Sequence, residues 1–198
     1  MFFRIGLTKV VDLGLMVGAL SVSLVFLLLI SSMAGASAPG ADPDILGLRL
    51  GTSVAAVREL FDKSGISMTQ TGPQELSAPR TLRPLEGVKE VRVSFDKDRL
   101  RKIVVFFEIP PLDHTAYNLV LLYRKEKDRL TQLFGPPGLD HEDMKAPSST
   151  ERREWLTRGL GYYRAVWKVK DTLDLSLWLC GEESGILFFE MYEKPDGR

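Results

Sequence analysis

The sequence predicts an α+β protein with one antiparallel sheet that carries its helices on one face. Two patterns lead to this class. Short runs that alternate apolar and polar residues, as half-buried strands do, follow each other with brief turns between them. Two other segments space their apolar residues as amphipathic helices do. The order is strand, helix and strands, then helix and strands, which predicts two similar halves, 45–112 and 113–198, within one globular body.

The first half opens with a predicted strand and a capped helix. Ile45–Leu50 is the strand, and Ser53 is expected to cap the helix by accepting a bond from an otherwise unpaired backbone N–H. Gly65 is expected to end the helix, in the backbone conformation that favours glycine. The predicted apolar face of this helix consists of Val54, Val57, Leu60 and Phe61.

The remainder of the first half predicts a loop and a pair of strands. Thr71–Pro84 is polar and contains prolines, which is typical of a loop. Val91–Phe95 alternates as a strand, and Asp96-Lys97-Asp98 turns the chain. Leu100–Glu108 then returns as a nearly continuous apolar strand.

The second half begins with a longer helix, predicted over Ala116–Phe134 and ended by the Gly-Pro-Pro-Gly run at 135–138. The run 124–129 alternates in charge sign and predicts the solvated side of this helix. A polar loop is expected over Leu139–Arg158. The predicted apolar face consists of Leu119, Leu122, Tyr123, Leu130 and Leu133.

Three alternating strands complete the chain. They are predicted over Arg164–Lys170, Leu173–Cys180 and Ile186–Tyr192. The last two are joined by residues 181–185, a short loop with glycine at both ends, which predicts a hairpin.

The N-terminal 36 residues have the pattern of a secretory signal. Arg4 and Lys9 precede an uncharged run from Leu13 to Ile30, and Ala34-Gly35-Ala36 supplies a small-residue cleavage site. The run is longer than the about 7–15 residues of most signal peptides, so an uncleaved anchor in the inner membrane stays open. Either outcome exports the body to the periplasm or the extracellular space. Residues 37–44 then form a linker.

Charge and cysteine content exclude several classes of protein. The 26 basic and 26 acidic residues cancel, so no basic field predicts a nucleic-acid partner. Contact with a membrane is expected only through the leader, if it is uncleaved. Cys180 is the one cysteine, which excludes an intrachain disulfide.

Parts of the chain resemble two families of exported proteins. Leu48–Ser53, the capped helix after it, and the strands Val91–Phe95 and Leu100–Phe107 resemble the small domain of the outer-membrane assembly lipoprotein family SmpA/OmlA. The doubled layout, with the helix exit Leu133–Pro136, is similar to the β-lactamase inhibitor protein family. The lipoprotein cysteine and the inhibitor's disulfides have no counterpart here. The resemblance implies a non-catalytic binding domain and assigns no functional residue.

The sequence contains no motif of a common catalytic, metal or cofactor site, and we expect no cofactor and no metal. His114 stands at a helix entry, where a solvated side chain is the simpler interpretation. His141 and Glu142 leave one alternative open, a hydrolase of the cell envelope with its site in the 139–158 loop. Whether His141 faces a pocket or solvent separates the two functions.

An aromatic cluster is the strongest functional signal. Leu173, Leu175, Leu177 and Leu179 share one side of a strand, so Trp178 points to the other. If Leu187, Phe189 and Met191 also face the core, the cluster lies on the side that the helices leave open, and it consists of Trp178, Phe188 and Tyr192 with Arg164 and Lys168 beside them. Aromatic side chains ringed by charge are typical of a protein interface. A second core layer, covered by one of the two loops, is the alternative.

The sequence therefore predicts an exported, non-catalytic binding or accessory domain. Its expected partner is a protein, or a lipid, of the cell envelope, contacted through the open side of the sheet.

Overall fold

The computed structural model describes residues 43–112, 116–143, 151–169, 172–182 and 185–195, all within one compact unit, Asp42–Arg198. The predicted signal or anchor segment, His114 and most of the 37–44 linker lie outside the described residues. Among the residues described, no helix is long and apolar enough to span a membrane.

Three helices and eight strands make up the fold. The helices are α1 (Val54–Lys63), α2 (Tyr117–Phe134) and α3 (Arg152–Thr157). The strands are β1 (Thr69–Gly72), β2 (Glu75–Ala78), β3 (Val88–Asp96), β4 (Arg99–Phe107), β5 (Leu139–Asp143), β6 (Tyr162–Val169), β7 (Leu173–Glu182) and β8 (Gly185–Glu193).

All eight strands form one sheet in the order β1-β2-β3-β4-β8-β7-β6-β5, and every neighbouring pair is antiparallel. The predicted α+β class with an antiparallel sheet is confirmed. β4 and β8, the last strands of the two predicted halves, pair with each other at the centre of the sheet.

The predicted cap of α1 is confirmed. The Ser53 hydroxyl accepts a hydrogen bond from the backbone N–H of Ala56, and Gly65 follows the helix with φ +64°. Val57 and Phe61 are buried, whereas Leu60 is exposed. The strand predicted at Ile45–Leu50 is wrong, because Ile45 and Leu48 bond to each other across a tight turn at Leu46 and Gly47.

One face of the sheet packs against the helices and forms the core. Its buried side chains alternate along each strand, as the pleat requires. They include Val91, Val93, Ile103, Val105, Ala165, Trp167, Leu175, Leu177, Phe188 and Tyr192. Tyr123 of α2 stacks near Tyr163 and Phe188 of this face, and Leu156 of α3 is buried.

Both predicted loops are wrong in part, since they supply the edge strands of the sheet. β1 and β2 form a hairpin within Thr71–Pro84 and its flank, and β2 pairs with β3. Leu139–Asp143 is β5, which pairs with β6, and Arg152–Thr157 is α3. Edge strands are half solvated, so their sequences are polar and lack the apolar alternation of central strands.

The face predicted for α2 needs two corrections. Leu133 is 62% exposed, and the run predicted to be solvated includes Glu126, which is buried. Arg129 of the same run reaches under the helix to Glu190 of β8. A charged residue can lie inward when the facing strand supplies its partner.

Candidate functional site

A row of aromatic rings crosses the sheet on the side opposite the helices, which we call the open face. The row passes from His141 of β5 through Tyr162, Trp178 and Phe189 to Phe106 of β4. Successive ring centroids lie 5.4, 5.9, 6.4 and 5.7 Å apart. These distances are those of interacting aromatic pairs. The row spans five neighbouring strands, so it forms a continuous surface.

Two arginines lie over the row. The Arg164 guanidinium stands 4.3 Å from the centre of the Trp178 ring, and that of Arg92 stands 4.8 Å from Phe106. Arg92 also donates two hydrogen bonds, of 2.9 and 3.0 Å, to Glu90. The Trp178 indole N–H donates to the Ser176 hydroxyl at 3.0 Å. The rings therefore hold fixed orientations beside positive charge.

The structure brings together some of the predicted site residues. Trp178 and Arg164 are direct partners across β6 and β7, and Lys168 lies on the same face further along β6. Phe188 and Tyr192 do not belong to this group. Both are buried on the core face, so their predicted placement beside Trp178 is wrong.

The error comes from the side-chain alternation of β8. Glu190 is directly opposite Leu177, so it shares the core face, and Leu187, Phe189 and Met191 face the other way. β8 carries large side chains on both faces, so its sequence does not show which face is buried. Glu190, as a charged residue, suggests that its own side of the strand faces solvent. Phe189 was missed for this reason, and Phe106 because the continuous apolar run of β4 gives no face signal. Tyr162 precedes the predicted strand Arg164–Lys170. Arg92 lies on a strand far along the sequence from the predicted site.

The described residues do not cover the open face as a second core layer would. β1, β2 and β5 lie in the sheet itself, and the rings of the row are half-buried or, at His141, exposed. A cleft of about 640 Å³ opens at the Phe106 end of the row, and Arg92, Glu90, Leu187 and Ile186 contribute to its lining. Ligand sites commonly have volumes of about 300–1,000 Å³.

The residues of the hydrolase alternative diverge. His141 and Glu142 are neighbours on β5, so their side chains point to opposite faces of the sheet. His141 lies against Tyr162 on the open face, whereas Glu142 approaches Arg124 and Lys127 of α2. In the described part of the chain no three His, Cys, Asp or Glu side chains gather as metal ligands.

A second group of polar side chains is buried between α2 and the sheet. Arg129 bonds to Glu126 on its own helix and donates to Glu190 at 2.6 Å, and the Tyr192 hydroxyl donates to the other oxygen of Glu190 at 2.6 Å. We call these four residues the Glu190 cluster. Burial raises the pKa of Glu190 to about 8; Arg129 opposes this rise, and Glu126 adds to it.

Each member of the Glu190 cluster has a hydrogen-bond partner within it. A buried polar group that is fully bonded fixes a packing arrangement. The cluster is therefore a structural element of the core, and the open face is the better candidate for binding.

Cys180 lies on the open-face side of β7 and is half-buried. Burial raises the pKa of the Cys180 thiol, so the thiolate is disfavoured.

Comparison of the chain with family models, curated proteins and solved structures gives no match. The resemblance to the two exported families stays a prediction.

Proposed function

We propose that this chain is an exported, non-catalytic binding domain that contacts a protein of the cell envelope through the open face. The observation that carries the proposal is the aromatic row from His141 to Phe106, which is partly exposed and flanked by Arg164 and Arg92. Tryptophan, tyrosine and arginine dominate the binding energy of protein interfaces. A monomeric soluble domain seldom leaves such a surface without a use.

The layout of the strands supports this reading. A helix followed by four strands occurs twice, with α3 as an addition to the second half, and the two sets join edge to edge at β4 and β8. The join produces a sheet wide enough for the row to cross five strands. In this proposal the helices supply the core and the opposite face supplies the contact.

Export is the first part to test. The positive N-terminus and apolar run up to Ile30 predict that a reporter enzyme fused after Arg198 is active only outside the cytoplasm. Activity of the fusion inside the cytoplasm would contradict both the export of the chain and its contact with an envelope protein. Mass spectrometry of the purified chain then decides between Ser37 and Met1 or Phe2 as the first residue, that is, between cleavage and an anchor.

Binding is tested in the cells that make the protein. The tagged full chain, extracted from the envelope in mild detergent, is expected to migrate on a native gel in a complex larger than itself. The variant Trp178→Ala/Phe189→Ala is expected to migrate free, because truncation of interface aromatics costs about 2 kcal/mol or more each. Leu133→Ala is the matched control, since Leu133 is exposed on α2, away from the sheet. Identical migration of all three chains contradicts the proposal.

A further inference from the structure

We propose that Arg164, which lies over the Trp178 ring, is the receptor for a carboxylate of an acidic segment of the partner protein. This inference rests on the proposed function and adds the chemistry of the partner. It is carried by the state of four cationic side chains on the open face, Arg92, Lys102, Arg164 and Lys168.

Two of these four cations already have an acid. Arg92 donates two hydrogen bonds to Glu90, and the Lys102 ammonium lies 3.2 Å from Glu193. Within the described residues neither Lys168 nor Arg164 makes an ion pair. Lys168 is exposed, whereas Arg164 is half-buried and its guanidinium lies 4.3 Å from the centre of the Trp178 ring.

The Nε of Arg164 adds a second observation. This atom is buried and has no hydrogen-bond partner in the part of the chain that the structure describes. A donor that is shielded from water and unbonded destabilises the free protein. An anion that draws the guanidinium slightly outward gives this donor an acceptor and relieves that cost.

The chemistry of the guanidinium favours a carboxylate in particular. Its planar fork of N–H donors matches the two oxygens of a carboxylate. The aromatic row beside it supplies apolar contact for the neighbouring residues of the same segment. A surface that combines free positive charge with rings thus fits an acidic and partly apolar stretch of protein.

The site is tested directly by NMR on the full chain labelled with ¹⁵N-arginine. N-acetylglutamate is expected to shift the Arg164 Nε–H resonance until the site is saturated. The Arg92 resonance should shift little, because Arg92 already donates its hydrogen bonds to Glu90. The control is N-acetylglutaminamide, which has a similar shape but no carboxylate, and it should shift neither resonance. An unchanged Arg164 resonance overturns the inference. A stronger response to inorganic phosphate also overturns it, in favour of a phosphate group.

Binding of the partner gives the second readout. In the native-gel assay, Arg164→Lys is expected to weaken the complex about tenfold or more, since lysine keeps the charge and loses the planar fork. Arg124→Lys is the matched control, because it is the same substitution on α2, where Arg124 lies beside Glu142 on the helix side of the sheet, and it should have a much smaller effect. Equal effects of Arg164→Lys and Arg124→Lys would overturn a specific site. A complex that needs Trp178 but tolerates Arg164→Lys overturns this inference alone and leaves the proposed function standing.

Discussion

Arg129 donates a 2.6 Å hydrogen bond to Glu190, whose side chain is completely buried on a central strand of the sheet. The hydrogen bond connects α2 to β8. The Tyr192 hydroxyl donates to the other oxygen of the same carboxyl group, so these polar contacts favour one position of the helix on the sheet.

Removal of Arg129 should be strongly destabilising. Arg129→Met leaves Glu126 and Glu190 without their cation, and breaking a buried pair in this way costs about 3–5 kcal/mol. Chemical unfolding of the purified chain measures the loss. Glu190→Gln is the control, because glutamine keeps the size and most of the hydrogen bonds, and it should cost far less. Equal losses for the two variants would mean that the charge of Arg129 plays no part.

The same carboxyl group makes stability depend on pH. Glu190 releases its proton near 4.5 in the unfolded chain and near 8 in the folded one. Between these values the folded state binds more protons than the unfolded state, so the free energy of unfolding falls as the pH rises and levels off above about 8. Unfolding curves at pH 5 and pH 8 should therefore differ more for the parent than for Glu190→Gln. The same pH dependence in both chains would contradict this assignment.

Gly181 is the point where α3 meets β7. A Cβ added there would lie 1.5 Å from the carbonyl oxygen of Leu156, which is backbone and cannot move aside alone. Gly181→Ala should therefore destabilise the fold by about 3 kcal/mol or displace α3. Gly138→Ala is the matched change, since its nearest neighbour is 3.9 Å away, and thermal melting should show little effect. Parent-like melting of Gly181→Ala would contradict the close approach.

One tryptophan, Trp167, lies in the core, and another, Trp178, lies on the open face. Trp167 is 1% exposed and its indole N–H donates to the Gly135 carbonyl oxygen, whereas Trp178 is only half-buried. Trp167→Ala should cost about 3–5 kcal/mol, which corresponds to a Tm loss on the order of 10 °C for a body of this size. Trp178→Ala should keep its Tm within about 4 °C of the parent. A loss as large as that of Trp167→Ala would place Trp178 in a second core layer.

The sequence allowed prediction of the elements whose signal is local. The Ser53 cap, the Gly65 helix end and the alternation of β7 depend on short-range backbone chemistry and on one clearly apolar face. Trp178 was predicted to lie on the open face because four leucines mark the opposite face of β7 as the core side, and Arg164 was placed beside it.

The missed features depend on contacts between distant parts of the chain. Glu190 lies inward only because Arg129, far along the sequence, provides its partner. Phe189 and Phe106 belong to the row because β8 pairs with β4, and neither strand shows this pairing in its own pattern. β1 and β5 are polar edge strands, which periodicity does not separate from loops.

The most direct test of the central claim, that the open face contacts a protein, is site-specific photocross-linking in the cells that make the chain. A photoreactive amino acid replaces Leu187 or Met191 on the open face, or Leu133 on the exposed side of α2. The account predicts that both open-face positions cross-link to the same envelope protein, that Leu133 does not, and that Trp178→Ala removes the product. No protein product from Leu187 and Met191, or products with lipid alone, would contradict it.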